Sequence, residues 1–286
     1  MKLIDKWLIV VVFIIAIISV SEYSNFSPNT SLSYNPFSGN LNYNALQKID
    51  KSQSNYTFVV YGDDQDSHGK FDQLINTVNQ KNILFSMDIG DLVPVGNLSN
   101  YITFLKQINS SKSPILTVIG NHELKQDTNA SYYSNLFGNT YYSFSTKNSY
   151  YIILDDANEI RLDDQQMQWL KTELNKSQSY KYRFVFMHVP LYDPRNESDK
   201  KNDDEHSLQD ANQAKELNDL FDQYNVTMLF SSHIHAYYNG TWGKTPYIIS
   251  GGAGAPLAKV GPEHSFYHYI LVNASNQSVN FEFIKY

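Results

Sequence analysis

Seven side chains of the types that bind divalent cations or transfer protons follow apolar segments of this chain. They are Asp63, Asp91, Asn121, His122, His188, His233 and His235. Carboxylates, amide oxygens and imidazoles suit hard or borderline divalent ions. The chain contains no cysteine, which excludes thiolate metal sites and disulfides. The residue types therefore predict a metal centre, on the condition that the fold brings these side chains together.

The number of ligands indicates more than one ion. Two carboxylates, one asparagine and three histidines are too many for a single ion that keeps open positions. They suit two ions about 3.5–4 Å apart that share a carboxylate, a pair that clamps a phosphoryl group and lowers the pKa of a bridging water. The predicted cofactors are two divalent ions of the manganese, iron or zinc type.

The elements that must position these residues are strand-like segments, each ending at one of them. "YTFVVYG" precedes Asp63, "ILFSMDIG" ends next to Asp91, and "PILTVIG" precedes Asn121. "YRFVFM" precedes His188, and "VTMLFSS" precedes the histidine pair. Ligands of open α/β sheets bind beyond the carboxyl ends of the strands. We therefore expect the seven side chains to converge there.

Helix-like segments such as "KFDQLINTVNQ" and "DANQAKELNDLFDQY" lie between these strands. The alternation predicts a parallel or mixed sheet covered by helices. The last part of the chain is strand after strand ("YIIS", "YHYILVN" and "VNFEFIKY"), which suggests a second sheet packed on the first. We assign residues 55–286 to one α/β domain, since 286 residues with 42% hydrophobic content can build a large core.

The first 21 residues have the pattern of a targeting segment. Lys2 and Lys6 precede the uncharged apolar run Trp7–Val20, which is typical of a secretory signal peptide or, if retained, of an N-terminal membrane anchor. Residues 22–54 are polar and rich in Asn and Ser, and we interpret them as a linker. The predicted location is extracytoplasmic, either secreted or anchored to the outer face of the cell membrane.

The blocks around the candidate ligands resemble those of the calcineurin-like metallophosphoesterases. They are Asp63, "GD" at Gly90 and Asp91, "GNHE" at Gly120 to Glu123, "MH" at Met187 and His188, and "HIH" at His233 to His235. The resemblance covers about residues 56–286. It implies a four-layer αββα sandwich of two mixed β-sheets flanked by helices. "HVPLYDPR" and "SGGAGAPL" also resemble segments of an exported branch of this family.

The resemblance implies a role for each residue at a matching position. It assigns the first metal to Asp63 and His235, both metals to Asp91, and the second metal to Asn121, His188 and His233. His122 would stand near the leaving group as a general acid or a charge stabiliser.

The first block departs from the family pattern. Gln65 stands where the family usually has a histidine after Asp63. Either its weaker amide oxygen or the nearby His68 would complete the first metal site. A shifted register would instead pair Asp66 with His68.

Two other departures concern later blocks. Pro94 lies in the loop where purple acid phosphatases place a tyrosine that binds ferric iron, so the resemblance is to the family outside that branch. Ser232 replaces a common glycine before the histidine pair. Arg195 has two interpretations, a bidentate contact with a substrate phosphate or a solvated loop cation. The glycines of "SGGAGAPL" predict either a tight loop at the site or a connecting turn, and Asp88 is interpreted as a satisfied polar group at a strand end.

These features predict a hydrolase that cleaves a phosphomonoester or phosphodiester at a dinuclear metal centre with a bridging hydroxide. The expected partner is a small-molecule, lipid or nucleotide phosphate ester. A rival of another class is a cell-surface binding module that is catalytically weak or inactive; Gln65 favours it, while His122 and His188 count against it. A nuclease with the same metal chemistry is disfavoured by the net charge of -7, and no stable nucleic-acid complex is expected.

Overall fold

The computed structural model describes residues 40–195 and 206–286. Here the strands form two mixed sheets with helices packed on both, which confirms the predicted α/β sandwich. The predicted targeting segment, residues 1–21, lies outside these ranges. Within them, no helix is both long enough and apolar enough to cross a bilayer.

The described elements follow one another in this order along the chain. They are α1 (Leu41–Lys48), β1 (Tyr56–Tyr61), α2 (Lys70–Val78), β2 (Phe85–Asp88), α3 (Leu98–Ile108), β3 (Ile115–Thr117), α4 (Asn121–Leu124), α5 (Ser131–Phe137), β4 (Tyr142–Ser145), β5 (Ser149–Ile153), α6 (Asp164–Ser177), β6 (Tyr182–Phe186), α7 (Ala211–Gln223), β7 (Met228–Ser231), β8 (Tyr237–Trp242), β9 (Thr245–Ser250), β10 (His268–Ala274) and β11 (Val279–Lys285).

The C-terminal strands are divided between the two sheets, whereas the sequence pattern suggested that they form a second sheet. The first sheet has the order β11-β10-β1-β2-β3, and the second has the order β4-β5-β6-β7-β9-β8. Strands β1, β2 and β3 are parallel, as are β5, β6, β7 and β9. The tail does not form a sheet of its own, because β8 and β9 extend the second sheet while β10 and β11 complete the first.

An aromatic-rich layer lies between the two sheets. Phe58 stacks on Phe85 with ring centres 5.0 Å apart, and Tyr151, Phe184 and Phe230 belong to the same buried cluster. Burying a side chain of this size stabilises the fold by about 1.5–3 kcal/mol. Because both faces of the central parallel strands are covered, these strands read as continuous apolar runs.

The helices form the two outer layers. Their apolar side chains recur at three- and four-residue spacing, as expected for helices with one buried face. Phe71 and Leu74 of α2 pack in the cluster outside the first sheet. Leu217 and Phe221 of α7 pack in the cluster outside the second.

Helix α1 lies within the segment that the sequence predicts to be a linker, residues 22–54. Its Ala45 and Leu46, with the following Ile49, are buried in the layer between the sheets. The Asn42 side-chain oxygen accepts a hydrogen bond from the backbone N–H of Thr117, on edge strand β3, at 3.0 Å. The described part of the predicted linker therefore belongs to the domain, which begins before residue 55. Its few apolar residues are separated by polar ones, which hides this from a reading of composition.

Candidate active site

The loops after the parallel strands bring the candidate ligands into two overlapping groups. Asp91, His188 and His233 each offer a ligand atom within 4.8 Å of the others, and so do Asp63, Asp91 and His235. Asp91 belongs to both groups. This is the arrangement expected of two ions that share one carboxylate.

The group of Asp91, His188 and His233 also includes Asn121. The Asn121 side-chain oxygen lies 3.1 Å from His188 Nε2 and 3.2 Å from His233 Nδ1. Oδ1 of Asp91 lies 3.2 Å from His188 Nε2. Four potential ligand atoms thus surround one position.

The group of Asp63, Asp91 and His235 is more open. His235 Nε2 lies 3.8 Å from Asp63 Oδ1. Asp63 is fully buried, and its Oδ1 has no hydrogen-bond partner among the described residues. A buried carboxylate oxygen without a donor is costly, and a bound cation would remove that cost. The donor set therefore fits a divalent ion here.

Backbone carbonyls orient two of the imidazole rings in the ligand groups. Nδ1 of His188 lies 3.0 Å from the Ile89 carbonyl, and Nδ1 of His235 lies 2.8 Å from the Pro256 carbonyl. A carbonyl only accepts, so each Nδ1 donates and Nε2 is left to bind a metal. His233 is turned the other way, with Nδ1 toward Asn121 and Nε2 3.6 Å from Glu159.

Three of the candidate ligands have left-handed backbone conformations. The φ angles are +61° at Asp63, +58° at Asp91 and +66° at His233. Such values are uncommon outside glycine and cluster at functional sites, where the surrounding structure enforces them. Gly90, directly before Asp91, has φ of +98°, and a Cβ there would collide with the His188 ring. The sharp turn after β2 is what aims Asp91 into both groups.

Glu123 connects the loop of Asp91 with the start of α4. Its fully buried carboxylate accepts backbone N–H bonds from Asp91 at 3.0 Å, Val93 at 3.1 Å and Gly120 at 2.6 Å. The sequence contains Glu123 in the "GNHE" block but gives it no role, because its partners are backbone groups. Glu123 is thus a positioning residue for Asp91.

We expect Glu123→Gln to weaken metal binding and kcat/KM by about 10–100-fold, the usual cost of losing a group that orients a metal ligand. The glutamine amide N–H₂ would face backbone N–H groups that need an acceptor. The measurement is metal affinity by isothermal titration calorimetry. Glu263→Gln, at a side chain 65% exposed, is the matched control. Unchanged metal affinity in Glu123→Gln would contradict the positioning role.

Charges in the two groups are coupled. Burial opposes the ionised form of Asp91, but His188 and His122 hold its pKa well below the usual range. Burial also disfavours the charged form of His188, yet Asp91 and Asp63 raise its pKa well above the usual value. Burial and the neighbouring His188 lower the pKa of His233, which keeps this imidazole neutral. A divalent ion would replace the proton of His188, since metal ligands bind as neutral imidazoles.

Gln65, and not His68, lies at the open group. Its Nε2 is 3.4 Å from Asp91 Oδ2 and 3.5 Å from His235 Nε2. Rotation of the amide would place its oxygen at the same position. His68 is exposed, and neither it nor Asp66 belongs to either ligand group among the described residues.

Arg195 fits neither of its two interpretations. It is only 5% exposed, and its guanidinium forms hydrogen bonds with both carboxylate oxygens of Asp193. It is therefore neither a solvated cation nor a free phosphate ligand. Ser232, which replaces a common glycine before the histidine pair, donates a hydrogen bond to Asp63 Oδ2 at 2.6 Å.

The glycine-rich loop after β9 reaches the site. Ala255 N–H donates to the Asp63 carbonyl at 2.8 Å, and a Cβ on Gly251 would collide with Asp63. This corresponds to the close-approach interpretation of the loop. His206, to which the sequence assigns no role, lies with its ring centre 4.9 Å from that of His233.

Asp88 is not the satisfied polar group that the sequence suggests. Asp88 and Asp64 are both fully buried, and no N–H or hydroxyl group of the described residues donates to either. Burial raises the pKa of both carboxyl groups, and the charge of Asp88 raises that of Asp64 further. This pair lies outside the ligand groups.

The raised pKa of Asp88 predicts a pH-dependent stability. A carboxyl whose pKa is raised by folding adds stability below its unfolded pKa of about 3.9, and this is lost as the pH rises through the folded value. We expect Asp88→Asn to raise the melting temperature of chelator-treated protein more at pH 8 than at pH 5, by about 2–4 °C, the shift expected for roughly 1 kcal/mol.

Differential scanning calorimetry at the two pH values measures this effect. Asp164→Asn, at a side chain 98% exposed, removes the same charge and serves as the control. A lower melting temperature for Asp88→Asn than for the wild type at pH 8 would contradict the raised pKa of Asp88.

The family model described as "Calcineurin-like phosphoesterase" matches residues 56–237. Purple acid phosphatase 23 of Arabidopsis thaliana is 27% identical over 199 residues, covering 59% of this chain and 42% of that protein. The human serine/threonine-protein phosphatase CPPED1 is 26% identical over 157 residues, covering 51% of this chain and 49% of that protein. This chain thus aligns with less than half the length of either curated relative.

The fold is similar to that of purple acid phosphatase PPD1 from yellow lupin (Lupinus luteus) seeds. The two structures superpose with a TM-score of 0.65 at 17% sequence identity, over 83% of this chain and 52% of the lupin protein. At that identity the likeness concerns the fold alone.

Pro94 of this chain contributes its backbone carbonyl to the site, where it accepts a hydrogen bond from His122 Nδ1 at 2.8 Å.

Proposed function

Because this chain belongs to the calcineurin-like phosphoesterase family, we propose that it hydrolyses phosphate esters with the help of divalent metal ions. One observation carries this proposal. The ligand atoms of Asp63, Asp91, His188, His233 and His235 form two groups that share Asp91, each group within 4.8 Å. Sites that hold two ions around one carboxylate are well suited to in-line displacement at phosphorus.

The proposed centre assigns each ligand to one position. Asp63, His235 and Gln65 would hold one ion, Asn121, His188 and His233 would hold the other, and Asp91 would bridge them. Two divalent ions there would activate a water molecule and neutralise charge on the phosphate oxygens. In the reaction a water oxygen forms a bond to phosphorus, and the bond from phosphorus to the leaving oxygen breaks.

His122 is the residue proposed to assist the leaving group. Its Nδ1 donates to the Pro94 carbonyl, so Nε2 is directed to the site, 3.6 Å from Asp91 Oδ2. Its side chain is 19% exposed, which leaves Nε2 accessible to a substrate. A proton at Nε2 would pass to the leaving oxygen as its bond to phosphorus breaks.

The test is a combined metal and substrate experiment on the full chain. Elemental analysis of the purified protein should find two bound divalent ions per chain. Removal of these ions with a chelator should abolish hydrolysis of an aryl phosphate and an aryl phosphodiester, and added Mn²⁺, Fe²⁺ or Zn²⁺ should restore it. The ratio of the two rates assigns the protein to the monoesterases or the diesterases.

The rival function is a binding module that retains the fold without turnover. Gln65, in place of a histidine ligand, supports this rival because an amide oxygen holds a divalent ion less tightly than an imidazole. Metal-loaded protein that hydrolyses neither substrate with any of the three ions would establish it over the hydrolase.

We further propose that the protein acts outside the cytoplasm, on a small-molecule, lipid or nucleotide phosphate ester. The support is the apolar segment Trp7–Val20 behind Lys2 and Lys6, typical of export or anchoring signals. Protease treatment of intact cells should degrade the protein if it is anchored at the outer face. Full protection together with its absence from the medium would contradict this location.

A further inference from the structure

Lys125, which directly follows α4, places its ammonium group at the mouth of the candidate active site. Its Nζ lies 2.5 Å from His122 Nε2. The residue is exposed. No carboxylate oxygen of the described residues lies within the 4.0 Å that defines an ion pair with Nζ. Lys125 thus brings a positive charge to the site that no described carboxylate neutralises.

The position of Nζ relative to the ligand groups follows from the geometry of His122. The ring is fixed at Nδ1 by Pro94, and Nε2 lies 3.6 Å from Asp91 Oδ2. Nζ contacts the same Nε2 but remains outside ion-pair distance of Asp91. The ammonium group therefore lies next to His122, the residue proposed to assist the leaving group.

A solvent-facing lysine of this kind is suited to bind an anion. Its ammonium is a compact point charge on a flexible stem that contacts phosphate oxygens readily. Divalent ions held by the two ligand groups would already neutralise the oxygens of the scissile phosphate. A second anionic group, carried by the leaving group next to the scissile bond, would contact Lys125 Nζ.

We propose that Lys125 is a specificity residue that favours substrates whose leaving group carries a second phosphate, such as diphosphates. This rests on the proposed function of the same site. For a terminal phosphoanhydride, a water oxygen forms a bond to the terminal phosphorus while the bond to the bridging oxygen breaks. The bridging oxygen leaves as part of the remaining phosphate, and the protons of water are shared between the two products and the solvent.

The test compares two substrates in four proteins. Hydrolysis of p-nitrophenyl phosphate and of inorganic pyrophosphate is measured with the metal-loaded full chain, with Lys125→Ala, with Lys125→Arg and with Lys112→Ala. Lys112 is an exposed lysine that precedes β3, at the opposite end of the strand from the site. It is therefore a control for the loss of one positive charge.

We expect Lys125→Ala to lower kcat/KM for pyrophosphate about tenfold more than for the aryl phosphate, the size of one hydrogen bond to a charged group. The preference is the ratio of kcat/KM for pyrophosphate to kcat/KM for p-nitrophenyl phosphate. Lys125→Arg should retain most of this ratio, and Lys112→Ala should leave it unchanged. The ratio should also decrease with added salt, because the contact is exposed. Equal losses on both substrates, or no loss on either, would overturn the proposal.

A binding measurement separates this inference from the proposed function. The affinities of the non-hydrolysable methylenediphosphonate and of methylphosphonate are measured by calorimetry on metal-loaded protein. Lys125→Ala should weaken the diphosphonate selectively, by about tenfold. This holds even if neither substrate is hydrolysed, in which case the hydrolase proposal fails and the Lys125 contact stands. Equal affinities of wild-type protein and Lys125→Ala for the diphosphonate would reject the contact.

Discussion

Asp91→Asn is expected to remove most bound metal and to lower kcat/KM by about 10³-fold or more. The two oxygens of Asp91 face different groups: Oδ1 lies 3.2 Å from His188 Nε2, and Oδ2 lies 3.4 Å from Nε2 of Gln65 at the open group. Asparagine has a single side-chain oxygen, so it cannot serve both groups. Bound ions supply several kcal/mol of transition-state stabilisation, and each 1.36 kcal/mol corresponds to a factor of ten.

Elemental analysis and steady-state kinetics of the same preparation check this expectation. Asp164→Asn, an exposed substitution with the same charge change, should keep both metal content and rate. An Asp91→Asn protein that retains two ions per chain would show that Asp91 is not the shared ligand. The assignment of the two groups would then be wrong.

His122→Ala is expected to lower kcat by about 10²–10⁴-fold, the usual contribution of a general acid, while metal content stays near that of the wild type. The physical reason is the position of its Nε2, which faces the site without belonging to either ligand group. Loss of turnover without loss of metal separates His122 from Asp91. A leaving group of low pKa should reduce the defect, because such a group needs no proton to depart.

The comparison variant for His122 is His68→Ala, which also tests whether His68 completes the first metal site. His68 is exposed and outside both ligand groups, so its removal should change neither metal content nor kcat. Loss of metal in His122→Ala would show that His122 is a ligand. An effect of His68→Ala on metal content would favour His68 over Gln65 as the residue that completes the first metal site.

The strand ends could be predicted from the sequence because they combine two local signals. Apolar runs mark buried parallel strands, and small polar residues directly after them mark the edge where ligands bind. Asp63, Asp91 and His188 all follow this rule, and the structure brings them to one place. The family resemblance drawn from the same blocks is confirmed by the match over residues 56–237.

What sequence patterns missed depends on contacts between distant parts of the chain. The role of Glu123 lies in three backbone N–H groups, and the orientation of His235 depends on the Pro256 carbonyl. No side-chain pattern encodes such partners. Both interpretations of Arg195 were wrong for a related reason. Its partner, Asp193, lies only two residues away, but the burial of the pair depends on the surrounding fold.

Strands β4 and β5 went unpredicted although "YYIILDD" has an apolar run with an acidic end, as the other strands do. The second of these acidic residues, Asp156, accepts the backbone N–H groups of His188 and Val189 at 2.9 Å and 2.8 Å. The same strand-end rule would have found it. The two tyrosines at its start made the apolar run harder to recognise. Tyr150 and Tyr151 each carry a polar hydroxyl, yet both side chains are buried here.

The way α1 meets the first sheet has a practical consequence for anyone preparing fragments of this protein. A fragment cut at residue 55, the boundary that composition suggests, would leave β3 as an exposed edge strand. It would also expose the apolar residues that Ala45, Leu46 and Ile49 now cover. Exposed edge strands pair with strands of other molecules, which leads to aggregation. Fragments intended for crystallisation or assay should therefore keep Asn40, whose side chain caps the start of this helix.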